Sequence, residues 1–289
     1  VSTKETSIFE RVFVMVGKNW IAGALLAATV FAPEAVQAQD HDKLLLPIPS
    51  ALAPQGGLYG RAAPGVSASS PLAFGPNWRD VFAGVGFQAN TRYGGDSDGS
   101  ASAGFGLGNS LDAIGMEVVI TSLSTVRSGL FDRMVVGFKA HRQLPMSAAI
   151  AVGIEGVKLA GDNFETTESV YGVISKVVAL RNDGDETAAF SAMTINGGLG
   201  NGRFCAEETV NGRAQTADCG VNFFGSVGLR ATQWAGLIAD WTGQDLNLGV
   251  SLAPFSNFPL VITPALADVT GNAGDKVRFT LGAGFGLRF

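Results

Sequence analysis

Few residues in this 289-residue chain carry the chemistry of a catalyst. There are two histidines. His41 sits in the polar stretch QDHDK and reads as solvated linker, and His141 ends an alternating segment beside a short turn. That is thin stock for Ser-His or metal chemistry. Asp240 and Asp245 flank the tripeptide TGQ and could form a general acid-base pair; the plainer expectation is a turn aspartate beside a solvated acid. Cys205 and Cys219 bracket a polar, turn-forming stretch, CAEETVNGRAQTADC, with no Cys-x-x-Cys or Cys/His cluster competing for them. Their spacing predicts a disulfide closing a loop, worth about 3 kcal/mol of chain entropy, and hence an oxidising compartment. The glycine clusters GFGLG and GAGFG lack both the following helix and the lysine of a phosphate loop. No catalytic, cofactor or metal site is expected. Acidic residues in the connections (Asp96, Asp98, Asp162, Glu165, Glu168, Glu207, Glu208, Asp275) read as solvated faces, where divalent cations could bridge to surface lipid.

The composition explains what such a chain is built for. Glycine numbers 39 and charged residues make up only 16%, against a usual charged share of about 25%. The net charge of −5 offers no basic footprint for nucleic acid. Beyond the N-terminal region no run of about 18 uncharged apolar residues occurs, which argues against membrane helices. Residues 18–39, KNWIAGALLAATVFAPEAVQAQ, have the layout of a secretory signal: a lysine, an apolar stretch, a breaking Pro33, and small residues at Val36 and Ala38. Residues 1–38 are therefore expected to be a signal peptide, with a conventional start at Met15. Residues 39–77, rich in Pro, Ala, Gly and Ser, read as a linker.

From Trp78 onward the chain is a succession of period-two runs. Val81, Ala83, Val85 and Phe87 alternate with Phe82, Gly84, Gly86 and Gln88, and Ile114, Met116, Val118 and Ile120 with Gly115, Glu117, Val119 and Thr121. Twelve strands are predicted: 79–90, 101–108, 112–122, 132–141, 148–159, 169–180, 187–200, 220–231, 236–242, 245–253, 258–267 and 276–289. Long connections (NTRYGGDSDGS, SLSTVRSGLF, AGDNFETTE, the cysteine loop) alternate with short ones (GNSL, RQLPMS, RNDGDE, TQWA), and only TGQ breaks the rhythm. That is the plan of an all-β, 12-stranded antiparallel up-and-down transmembrane β-barrel over residues 78–289, with both ends periplasmic. A barrel also leaves no unpaired edge in the bilayer. The structural competitor is a soluble, secreted β-sandwich binding module, but its outer face would carry many Lys, Glu and Asp.

The last strand, RFTLGAGFGLRF, sets Phe279, Leu281, Ala283, Phe285, Leu287 and Phe289 on one face. Phe285, Leu287 and the terminal Phe289 resemble the assembly signal of Gram-negative outer-membrane β-barrel proteins. The stretch ADWTGQDLNLGVSLAPF resembles a barrel group from photosynthetic bacteria whose function is unassigned. The resemblance implies an outer-membrane location, contact with bilayer and outer-membrane lipid, and recognition by the barrel-assembly machinery. It does not name a reaction.

Applied throughout, the alternation puts Gln88, Glu117, Lys139, Glu155, Lys176, Arg230, Asp240 and Arg278 on the lumen side, where charges of both signs should pair. This suggests a small passive pore with a weak anion preference or a salt-bridged, structural interior. A barrel hydrolase acting at the surface is the alternative of another class, disfavoured by the shortage of histidine. Gly84, Gly86, Gly104, Gly106, Gly108, Gly282, Gly284 and Gly286 fall on the same side in strands one, two and twelve, which must be neighbours if the barrel closes. A bare patch of this kind marks sharp curvature or close backbone approach. Residues 44–77, entering beside strand one, are the segment that could lie against it.

Overall fold

A computed structural model describes residues 63–289 apart from 93–95, 124, 126–128, 130, 162–167, 182–187, 206, 211–212, 217–218, 256–257 and 275, and leaves the side chains of 207–216 aside. The expected signal peptide, the linker up to residue 62, and Asp162, Glu165 and Asp275 lie outside the described residues.

The alternating runs form β1 (Asp80–Gln88), β2 (Asp98–Gly108), β3 (Gly115–Ser122), β4 (Met134–Leu144), β5 (Ala148–Ala160), β6 (Ser169–Ala179) and β7 (Ala192–Gly200). After the cysteine loop come β10 (Asn222–Arg230), β11 (Ala235–Trp241), β12 (Leu246–Leu252), β13 (Leu260–Ala267) and β14 (Arg278–Arg288). These twelve strands make a closed antiparallel barrel, each paired with its neighbour in sequence and β1 with β14. The remaining two, β8 (Glu207–Val210) and β9 (Arg213–Thr216), form a separate small hairpin inside the cysteine loop, which the sequence reading did not anticipate. The Cys205–Cys219 disulfide is formed and spans the base of that hairpin.

Closure runs along β1 and β14 from Asp80↔Arg288 to Gln88↔Thr280. Arg288 donates two bonds to Asp80, at 2.6 and 2.7 Å, and pins the seam at the short-turn end. At that end the amide of Phe289 donates to the carbonyl of Arg79. β12 and β13 pair at Leu248↔Leu266, Gly249↔Ala265 and Leu252↔Ile262, skipping Pro264, which has no N–H to give. Between β4 and β5 the register shifts around Gly156, whose φ is +75°, a bulge that only glycine adopts without strain.

The two faces differ as the alternation requires. Every barrel strand exposes at least one large apolar side chain outward, among them Val85, Phe105, Ile120, Phe138, Val152, Ile174, Ile195, Val227, Leu237, Leu248, Leu266 and Phe285. A soluble monomer rarely exposes so continuous an apolar surface. The short-turn rim adds exposed Trp78, Phe190, Trp234, Phe255, Phe258 and Phe289.

The glycine patch has two causes. The ring of Phe82 lies inward between Gly104 and Gly286, its partners on the two neighbouring strands, and covers Gly104 so closely that a Cβ there would meet it. An aromatic side chain is filling space that glycine leaves. At Gly106 the close neighbour is backbone, the carbonyls of Pro76 and Asn77. Gly108 has a φ of +69° as it enters the turn. Only Gly106 of these three therefore meets the linker.

That contact yields a prediction. Gly106→Ala puts a methyl into backbone that cannot rotate away, and overpacking of this kind costs about 1–3 kcal/mol. Heat-modified gel migration should show its unfolding midpoint several degrees below wild type. Gly172→Ala, where a Cβ meets nothing, should leave the midpoint unchanged. Equal midpoints for the two variants would contradict the close approach.

Candidate functional site: a strap inside the barrel

The interior holds a segment of the chain itself. Residues 63–77 form a re-entrant strap, buried along almost all its length, with Leu72, Ala73 and Phe74 fully enclosed. The strap enters at the short-turn end, where Gly65 lies against Ser251 and Val66 against Gly228. It rises to a tip at Ser67–Ser70 beside Asp240, next to the TGQ turn, and descends to Asn77 and β1. The void left beside Pro64, Gly65, Val66 and Arg230 is about 10 Å3, no more than one water needs.

A strap in such a place must satisfy its backbone from the wall. Pro64, Pro71 and Pro76 lower the number of donors to place. The Gly65 amide donates to Ser251 Oγ at 2.6 Å and the Ala73 amide to Ser175 Oγ at 2.8 Å. Asn196 Nδ2 reaches the Pro71 carbonyl at 2.9 Å, Lys139 Nζ the Phe74 carbonyl at 2.9 Å, and His141 Nε2 the Pro76 carbonyl at 3.0 Å. The Pro76 carbonyl can only accept, so Nε2 is the donor, and Nδ1 is buried with no hydrogen-bond partner among the described residues.

The tip is held by one carboxylate. Asp240 Oδ2 accepts from Ser67 Oγ at 2.6 Å and from the amides of Ala68, Ser69 and Ser70 at 2.8, 2.9 and 3.0 Å. Oδ1 accepts from Ser70 Oγ at 2.5 Å. Successive amides turned onto one oxyanion form a nest, and bonds to an ionised acceptor are about twice as strong as neutral ones. Asp240 is wholly buried.

Around the strap the charges pair, as opposite charges in a low dielectric should. Lys139 and Glu117 lie 2.6 Å apart in a cross-strand pair. Arg203 bonds to Glu155 and also donates to the Ser69 carbonyl at 3.1 Å. Asp245 takes Arg92 at 2.7 Å and Arg278 at 2.8 Å, tying a long loop to β14. Asp240 and Asp245 are thus engaged separately, one by the strap and one by arginines, and form no carboxylate pair. Arg230 faces the entry of the strap, and Gln88 ends β1 on the inward phase.

Lys176 departs from its expected place. It is exposed on the outward face, while Tyr171, Val173, Ser175 and Val177 point in. The reason is a dry nucleus inside the lumen: Phe74 and Ala73 of the strap pack with Ala149, Ala151, Tyr171, Val173, Val177, Phe204 and Phe224. The rings of Phe204 and Phe224 stack 4.2 Å apart, and Tyr171 meets both edge-on. On β6 the apolar residues face inward, so reading apolar as outward inverts the strand. Phe204 arrives from a 3-10 turn, Gly202–Phe204, which the disulfide at Cys205 tethers. The ladder of wall donors and the nest at Asp240 were not expected either. The available signal was a segment, 63–77, with three prolines and three near-consecutive serines, opposite a barrel wall carrying an acid.

Beside the strap tip, on the long-loop side of Lys139, a cavity of about 230 Å3 remains. Its lining includes Ala68, Ser69, Phe82, Glu117, Lys139, Glu155, Tyr171 and Arg203. Among the described residues no group of three or more His, Cys, Asp or Glu could hold a metal ion.

No protein-family model matches the chain, and no curated protein matches it. Among solved structures it is similar to a protein of unknown function from the DUF3598 family of Nostoc punctiforme, at 10% identity. The match covers 72% of this chain and 95% of that one with a TM-score of 0.18.

The nest predicts how the strap is released. Asp240→Asn turns an N–H toward amides that need an acceptor, and each stranded buried donor costs about 1–3 kcal/mol. Proteinase K should cut within residues 63–77 at least tenfold faster in this variant than in wild type, with heat-modified migration of the barrel retained. Equal cleavage rates would show that Asp240 does not hold the strap.

Proposed function

We propose that this chain is an outer-membrane β-barrel of a Gram-negative-type cell, closed at rest by its own strap and without catalytic activity. The observation that carries the membrane reading is the large apolar side chain exposed on each of the twelve barrel strands, opposite an interior that holds paired charges and hydroxyls beside its apolar nucleus. Lipid facing one side and a polar lumen on the other is the logic of such barrels. The aromatic rim at the short-turn end suits an interface with lipid headgroups. Phe285, Leu287 and Phe289 stand exposed on the outer face of β14 or at its end, accessible to an assembly machine.

The strap changes the pore reading. A strap buried inside the lumen from Gly65 to Pro76 supports a barrel closed at rest, with a structural role rather than that of an open pore. The acids and the histidine that a surface hydrolase would need are engaged: Asp240 by the strap tip, Asp245 by arginines, and His141 Nε2 by the Pro76 carbonyl.

Two outcomes test this. Val227 lies outward at the middle of β10, and an arginine at the bilayer midplane costs about 2–4 kcal/mol. Val227→Arg should therefore lower the yield of folded barrel in liposomes, read as heat-modifiable protein after flotation. A soluble barrel would tolerate the change or gain solubility, and that result would overturn the membrane reading. In planar bilayers the wild-type barrel should stay silent and Asp240→Asn should give current steps; steady wild-type conductance would contradict closure.

A further inference from the structure

The cavity beside the strap tip has a composition that closure does not require. Lys139 and Arg203 are used, since each donates to a strap carbonyl. Glu117 and Glu155 bond to nothing on the strap and, among the described residues, pair with those two cations. Buried ion pairs of this kind are often no more stabilising than apolar side chains of the same size. The Glu117–Lys139 pair is almost wholly buried and the Glu155–Arg203 pair half-buried, and both face one cavity. Phe82, Val119 and Tyr171 supply an apolar wall between them.

The size bounds the occupant. A volume of about 230 Å3 far exceeds the roughly 10–15 Å3 one water needs. It falls just below the roughly 300–1,000 Å3 of sites for drug-sized ligands. Charge bounds it further. An isolated anion would leave both carboxylates beside it unfavourably, and an isolated cation would leave Lys139 and Arg203 so. A molecule carrying both charges can be matched at each end.

We propose that this cavity binds a small zwitterion of amino-acid size. Its ammonium group is taken by Glu117 and Glu155, its carboxylate by Lys139 and Arg203, and its apolar side chain lies against Phe82, Val119 and Tyr171. The ligand touches Ala68 and Ser69 at the strap tip, so the site reads the position of the strap directly. The inference needs the strapped barrel but not the bilayer, so it can fail while the membrane reading stands.

The test uses the full barrel in detergent micelles, with L-leucine as probe and methyl saturation-transfer NMR as readout. Leucine should bind saturably. Binding by 4-methylpentanoate, which lacks the ammonium, and by isoamylamine, which lacks the carboxylate, should be at least tenfold weaker. Glu117→Gln should bring leucine down toward 4-methylpentanoate. No saturable leucine signal, or equal binding of the three probes to wild type, would overturn the proposal.

Discussion

A carboxylate met by strap amides and hydroxyls holds the interior together. Asp240 is buried, and an ionised acid in such a place is costly unless every lone pair is met. Three backbone amides and two serine hydroxyls meet them, all from four successive residues of the strap. The dependence is mutual. The strap tip could not stay dry without an acceptor for its amides, and Asp240 would need water in the lumen if the strap left. Everything below the tip, from the Asn196 contact at Pro71 to the His141 contact at Pro76, follows once the tip is fixed.

The strap also explains why this barrel has an apolar nucleus beside its charged pairs. Phe74 brings an aromatic ring into the lumen from one side and Phe204 brings another from the cysteine loop. Tyr171, Phe224 and the small residues Ala149 and Ala151 make room for both. The disulfide limits how far the Phe204 turn can move away. Apolar packing therefore joins the strap, the loop and the wall on the side of β5 to β10, while the charged cavity lies between Phe82 of β1 and Tyr171 of β6.

Much of the architecture was legible because strand alternation is enforced on every strand by two unlike surroundings. All twelve barrel strands stand where period two placed them, within a few residues at their ends, and the pairing of β1 with β14 followed from their even number. The cysteine pairing was legible from spacing and the lack of competitors. Lys176 was not, because apolar residues on β6 serve the inner nucleus and reverse the phase. Gly106 pointed correctly to a close-lying linker, whereas Gly104 was answered by Phe82 from within the barrel. The depth of the strap was hidden because nothing local distinguishes SASSP as a solvated linker from SASSP wrapped on a buried acid. That difference lies in Asp240, some 170 residues away.

The most direct measurement is amide hydrogen exchange on the barrel reconstituted in lipid vesicles, read at Ala68, Ser69 and Ser70. If the strap fills the lumen with its tip on Asp240, these three amides exchange as slowly as those of the neighbouring strands β10 and β11. Exchange at the rate of an unstructured linker, with the strands protected, would contradict the account.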